Sequence, residues 1–349
     1  MSQPSEDVVA TGPTDPSLAR MRGNWARRTF SRLGGVTLTV IVVGAFFSIR
    51  THGDLLELQN LFGILRGMSS IAIMGLGLTV VIIAGEIDLS FAAVYGLSTN
   101  LVAVLWIGHG VSLYLAILVA FAAAVLVGLF NAFFTVIVKI PSFIATLGSS
   151  TLIFGVTLLV GNTQNLSYQF PPSPNSVSKS SIDFFKNLGA ASLPHQFPEQ
   201  GLWTIALLII FSFVLSRTLF GFRLKAIGGS RSAAEVVRLP VRRYIFIAFV
   251  VSACMGCLAG ILDFSFVGSA GPDDGQTFLF PVFAAVIIGG THLAGGKGTA
   301  IGTITGALLL ATLTNGFALI ATGPFASEIL LGSVTIGAVV IDSIATRRT

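Results

Sequence analysis

Ten apolar segments, most of them close to the roughly 20 residues that cross the hydrocarbon of a bilayer, decide what this chain can become. They fall near 34–49, 61–84, 89–107, 111–138, 143–160, 202–218, 244–267, 279–289, 298–320 and 325–345. The 279–289 segment is too short to span alone and reads as a broken or partial helix, so eight or nine spans are the alternatives to ten. Charge is scarce enough to support this. Only 10% of the 349 residues are charged, against about 25% in a soluble domain, and the mean hydropathy is +0.88. The 39 glycines lie inside apolar runs, where small residues let membrane helices approach closely. The expectation is an all-α polytopic membrane protein with one membrane domain, 34–345, flanked by a basic tail, 1–33, and a short end, 346–349.

The placement of charge sets the topology. The tail carries Arg20, Arg22, Arg27, Arg28 and Arg32 ahead of the first apolar run. That pattern is signal-peptide-like, but no small-x-small site closes the run, so a retained first helix is expected. With the amino terminus inside, sixteen Lys and Arg fall in cytoplasmic pieces and three (Arg50, Lys179, Lys186) in outer loops. This satisfies the positive-inside rule and puts both termini in the cytoplasm. The longest outer connection, 161–201, is polar and proline-containing, with a short helix expected at 181–188. A pI of 9.6 does not point to nucleic acid, because the basic residues flank apolar runs and form no patch with aromatic stackers.

Candidate chemistry is sparse. Cys254 and Cys257 lie within an apolar run and read as packing residues. His52, His109, His195 and His292 show no ligand spacing, so no metal site is expected. Gly296-Lys297 resembles the end of a phosphate loop, but Thr291 and Gly298 occupy positions where that motif needs Gly and Ser or Thr. ATP used by this protein must therefore be hydrolysed on another chain.

Two stretches are built alike. Val80–Gly96 and Ala284–Gly302 are each an apolar run broken at glycine and restarted by a helix rich in small residues. In the first, Gly85, Glu86, Asp88 and Ser90 form a turn between apolar runs, where carboxylates are expensive. Three readings stand. Asp88 caps a helix starting near Leu89, or the turn gates or contacts a neighbouring subunit, or Glu86 and Asp88 relay protons. The last is disfavoured, since residues two apart on a helix point about 200° from each other.

The segment Gly228–Arg243 is the second candidate. It is short, basic, ended by Pro240, and suited to an amphipathic knob that projects into a partner's groove; an ordinary topology-fixing loop is the alternative. Isolated charges remain at Arg66, Asp263 and Glu328. Arg66 snorkels or pairs with an acid, and Asp263 lines a pathway or pairs with Arg66.

With these residues in view, the chain resembles the permease subunits of bacterial ABC importers for monosaccharides, the ribose/galactose/xylose family, from about Leu61 to Asp342. The family's GGIDLS turn is similar to Gly85–Ser90, and its FIATL to Phe143–Leu147. Its GGN-x-x-AA is similar to Gly228–Ala234, and its LAG to Leu258–Gly260. The IGGTSLAGGKG signature is nearly reproduced from Ile288, and Asn315-Gly316 fits the following NG. Glu86 stands for a usual Gly, Ser230 for Asn, Arg238 for Gly and His292 for Ser.

The resemblance implies a multi-pass permease of the bacterial inner membrane that does no covalent chemistry. It would work in a pair with a second copy or paralogue, among membrane lipid, with a periplasmic sugar-binding protein outside. An ABC ATP-binding subunit inside would carry ATP and Mg, and no cofactor would reside in this chain. It places coupling to that subunit in the 219–243 region, on Gly228, Gly229, Ala233, Ala234, Glu235, Arg238, Arg242 and Arg243. Asp263 and Asn315 are candidate pathway residues. The rival is a proton- or sodium-coupled secondary transporter using Glu86, Asp88 or Asp263. A membrane-embedded enzyme lacks a catalytic cluster.

Overall fold

The computed structural model describes residues 34–162, 164–171, 177–189 and 197–320, with single positions 325, 329, 332, 333, 336, 337 and 340. The basic tail, the 346–349 end, His195, Glu328 and most of the tenth segment lie outside the described residues. Among the described residues, seven helices are long and apolar enough to cross a membrane. In chain order the helices begin with the shorter α1 (Gly34–Arg50), then α2 (Leu58–Ile83), α3 (Phe91–Ala103, continued by a π turn to Gly108), α4 (Leu113–Val136) and α5 (Ser142–Gly161). After α6 (Lys179–Gly189) come α7 (Glu199–Arg217), α8 (Leu219–Gly229), α9 (Arg231–Val236) and α10 (Val241–Val267). Then follow α11 (Leu279–Ile288) and α12 (Ala300–Leu319).

The broken helix expected at 279–289 is α11. Its 10 residues rise about 15 Å, half a hydrocarbon thickness.

Two helices form the centre. The most apolar stretches of α2 and α3 are 89% and 78% buried, against 28% and 22% for α4 and α5. Buried helices can be apolar all round, which explains why these segments lack a polar face. α10 packs on α2, α3 and α4, while α12 and α11 pack on α2 and on each other. The crossings use glycine: a Cβ on Gly77 would meet Met255 Cβ at 2.9 Å, and one on Gly256 would meet the Phe91 carbonyl at 2.6 Å. In lipid, where apolar surface gains nothing by leaving the solvent, such close packing holds helices together.

The helix expected at 181–188 is α6, which packs on α10 and α7. The Ser265 hydroxyl donates to the Phe185 carbonyl (2.5 Å) and the Trp203 indole N–H to the Leu188 carbonyl (3.0 Å). Nearby, β1 (Leu166–Ser167) pairs antiparallel with β2 (Ser269–Ala270). Trp106, Tyr168, Phe185 and Phe264 stack edge-on and tilted beneath this connection.

Candidate coupling site

The likeness between the two broken runs is a likeness of backbone. At the end of α2, Gly85 has φ +85°, with its N–H on the Ile82 carbonyl (2.9 Å) and the Glu86 N–H on the Val81 carbonyl (3.2 Å). At the end of α11, Gly290 has φ +90°, with its N–H on Ile287 (2.9 Å) and the Thr291 N–H on Val286 (3.2 Å). Both are left-handed glycine stops that satisfy the last carbonyls of a helix. The chain then runs without helix to α3 and α12.

The end of α2 and the turn that follows α11 meet at α8. The Gly296 N–H donates to the Ile83 carbonyl at 2.9 Å, tying the second turn to the end of α2. Gly228 lies against both: a Cβ there would collide with the Ile83 carbonyl and come within 2.6 Å of the Gly296 nitrogen. A Cβ on Gly295 would meet the Gly228 carbonyl at 2.7 Å and the Gly85 Cα at 2.9 Å. Gly85, Gly228, Gly295 and Gly296 thus form a node in which three stretches of backbone touch without intervening side chains. The 219–243 region is no free knob, because its first helix is seated on both breaks.

α9 projects from this seat. Ser230 caps it, its hydroxyl accepting from the Ala233 N–H at 3.3 Å. Arg238 follows with φ +57°, and the Leu239 N–H reaches back to the Ala234 carbonyl at 3.0 Å. That left-handed stop explains why glycine suits this position, and Arg238 adopts it at a cost of about 1–2 kcal/mol.

Of the residues assigned to coupling, Ala233, Glu235, Arg238, Arg242 and Arg243 are exposed. Ala234 is 4% exposed and faces the protein, so it seats the helix and offers nothing to a partner. Gly229 has open space beside it. The sequence pattern singles out neither Val236, which is 82% exposed, nor Val237, which is 68% exposed. Two adjacent valines just ahead of a left-handed stop are the signal that finds them.

In the first turn the carboxylates diverge. Glu86 is buried and bridges to the Arg231 guanidinium at 3.0 Å, joining the turn to α9. Burial pushes its carboxyl above the ordinary range, while a hydrogen bond with Ser142 and the Arg231 charge pull it down. Desolvation wins, as it can for a buried ion pair.

A carboxyl held above its unfolded pKa contributes stability below the unfolded value and loses it as pH rises through the folded one. Glu86→Gln is therefore expected to match the parent's thermal stability in acid and to exceed it increasingly towards neutral pH. A deficit that grows with pH would show that the ion pair outweighs its desolvation.

Asp88 differs from the expected cap. The helix starts at Phe91, and the Asp88 carboxylate oxygen Oδ1 accepts from the Ser90 N–H (2.8 Å) and hydroxyl (2.7 Å). The chain is bent for two further residues by this side-chain turn, which competes with helix. Asn131 Nδ2 donates to the Ser90 hydroxyl at 2.7 Å, extending the network to α4. Asp88 and Glu86 have separate partners and no shared acid–base geometry.

The other singled-out groups are spread apart. Asp263 accepts from the Tyr95 hydroxyl and from Gln200 Nε2 (3.4 Å), whereas Arg66 lies over the Phe266 ring at 4.1 Å. The pairing of Arg66 with Asp263 is not formed. Asn315 exchanges amide hydrogen bonds with Asn60 on α2 (3.0 and 2.9 Å), so both ends of its side chain are occupied. Among the described residues no group of His, Cys, Asp and Glu is arranged to hold a metal.

Residues 60–339 match the family described as branched-chain amino acid transport system / permease component. The chain is 29% identical to the xylose transport system permease protein XylH of Escherichia coli (strain K12), over 88% of this chain and 91% of that protein. It is 30% identical to XylH of Haemophilus influenzae, over 88% and 94%. It is 31% identical to the ribose import permease protein RbsC of Escherichia coli (strain K12), over 82% and 86%. With residues 60–339 matched and relatives of 30% identity or more covering most of both chains, the chain belongs to the branched-chain amino acid transport system / permease component family.

Proposed function

We propose that this chain is the membrane-spanning permease subunit of an ATP-driven importer that moves a monosaccharide or a related small polyol across the inner membrane. The observation that carries the reading is the glycine node, which seats α8, and with it the projecting α9, on the end of one interrupted membrane helix and on the turn that follows the other. Displacement of α8–α9 by a nucleotide-driven partner reaches both breaks through backbone contacts alone, and a close-packed node transmits displacement because it has no slack. The basic bias of the 217–243 segment supports a cytoplasmic place for this element, and an even number of spans would bring both termini to the same side. Monosaccharide transport is supported by the relatives, whose names specify xylose and ribose.

In this reading ATP and Mg are bound by a separate ATP-binding subunit, a periplasmic binding protein delivers the sugar, and a second copy or paralogue completes the pathway. The sugar passes along the interface between the two permeases. The carboxylates that a proton- or sodium-coupled carrier would use have separate partners: Arg231 for Glu86, Ser90 for Asp88, Tyr95 and Gln200 for Asp263.

The test is ligand-stimulated ATP hydrolysis by the purified assembly, with the binding protein loaded in turn with pentoses, hexoses and branched-chain amino acids. Stimulation by a sugar is expected. Stimulation by leucine or valine and by no sugar would overturn the substrate class.

A further inference from the structure

Behind α9 a cleft of about 1120 Å³ opens between the Arg231–Arg243 stretch and the 137–142 turn that joins α4 to α5. Two segments nearly a hundred residues apart therefore line one cavity on the face where the coupling element projects. Its charge is unbalanced. Lys139, Arg231, Arg242 and Arg243 face Glu86 and Glu235. Arg231 alone engages both carboxylates, at 3.0 Å and 3.7 Å. Lys139, Arg242 and Arg243 are left with no anionic partner among the described residues, and all three are exposed.

Like charges held around one cavity repel until an occupant of opposite sign enters. The backbone presents Lys139 at some expense, at positive φ (+67°). Strained, non-glycine backbone of this kind collects at functional positions.

The neighbouring surface says what kind of occupant this is. Val236 and Val237 stand exposed at the end of α9, beyond the apolar spans, as apolar side chains do that enter a partner's groove. The valines are flanked in sequence by Glu235 and Leu239, which line the cleft, so a partner that receives them lies beside it. We propose that the cleft takes an acidic segment of the ATP-binding subunit, so that the partner is held on two sides. The Val236–Val237 tip enters the partner, and the partner's carboxylates enter between α9 and the 137–142 turn. This rests on reading α8–α9 as the coupling element, and it adds the 137–142 turn, with Lys139, to the docking surface.

The experiment is retention of the ATP-binding subunit by the full-length, affinity-captured permease through washes of increasing salt. Lys139→Glu is expected to lower retention about fivefold or more, with loss at a lower salt concentration than for the parent, as for a contact between opposite charges. Lys139→Arg keeps the charge and restores retention, which separates the contact from any effect on folding. Val237→Asp removes the tip and tests the coupling reading itself. Full retention by Lys139→Glu with loss in Val237→Asp would overturn the cleft and leave the coupling element standing. Full retention by both variants would overturn both. If Lys139→Glu loses bound phosphatidylglycerol while keeping the ATP-binding subunit, the cleft holds lipid and the proposal fails.

Discussion

A single added methyl at Gly228 is expected to lower ligand-stimulated ATP hydrolysis about tenfold or more in the assembled importer, while the same change at Gly229 alters it less than about twofold. The two residues are adjacent and their surroundings are opposite. A Cβ at Gly228 has nowhere to go, because its neighbours are the Ile83 carbonyl and the Gly296 nitrogen, both main chain. A Cβ at Gly229 meets nothing within 4 Å. Overpacking in a well-packed site costs about 1–3 kcal/mol. Here the strain is relieved by separating α8 from the two breaks, which is the contact transmission requires. Hydrolysis by Gly228→Ala without ligand is expected to persist, since the proposed importer has its nucleotide site on another chain. Equal behaviour of the two alanine variants would remove the node from the mechanism.

The second large effect is expected at Asp88, where two substitutions separate hydrogen bonding from proton transfer. Asp88→Leu deprives the Ser90 N–H and hydroxyl of their buried acceptor. Unpaired buried polar groups cost about 1–3 kcal/mol each, and the Asn131 link to α4 is disturbed with them. Detergent-purified protein is expected to lose most of its folded yield or melt well below the parent. Asp88→Asn keeps an oxygen acceptor at Oδ1 and cannot titrate. It is expected to retain at least about half of the parent's transport, whereas a proton relay through Asp88 requires its loss. Abolished transport in a stably folded Asp88→Asn protein would return the relay to consideration.

The spans were legible in the sequence because hydrocarbon imposes both length and composition, and even the half-length of α11 could be counted. Features that depend on contacts across the chain were not. The glycine stops are visible as glycines, but the meeting of Gly85, Gly228 and Gly295 joins backbone more than sixty residues apart. No side-chain pattern records it. Asn315 was visible as a polar residue in a span, and only its partner, Asn60, shows that it clasps α12 to α2. Helix α3 starts two residues later than expected because the Asp88–Ser90 bend competes locally with helix. Ala234 and Val237 could not be sorted into inner and outer faces, because a six-residue helix has too few turns to show a periodicity.

Uptake into sealed vesicles tests the central claim most directly. The purified chain is reconstituted alone or with its ATP-binding subunit, supplied with sugar-loaded binding protein, and measured with and without a protonophore. The expected result is no uptake by the chain alone, ATP-dependent uptake with the subunit present, and no loss when the proton gradient is collapsed. Accumulation by the chain alone that the protonophore abolishes would contradict an ATP-driven permease.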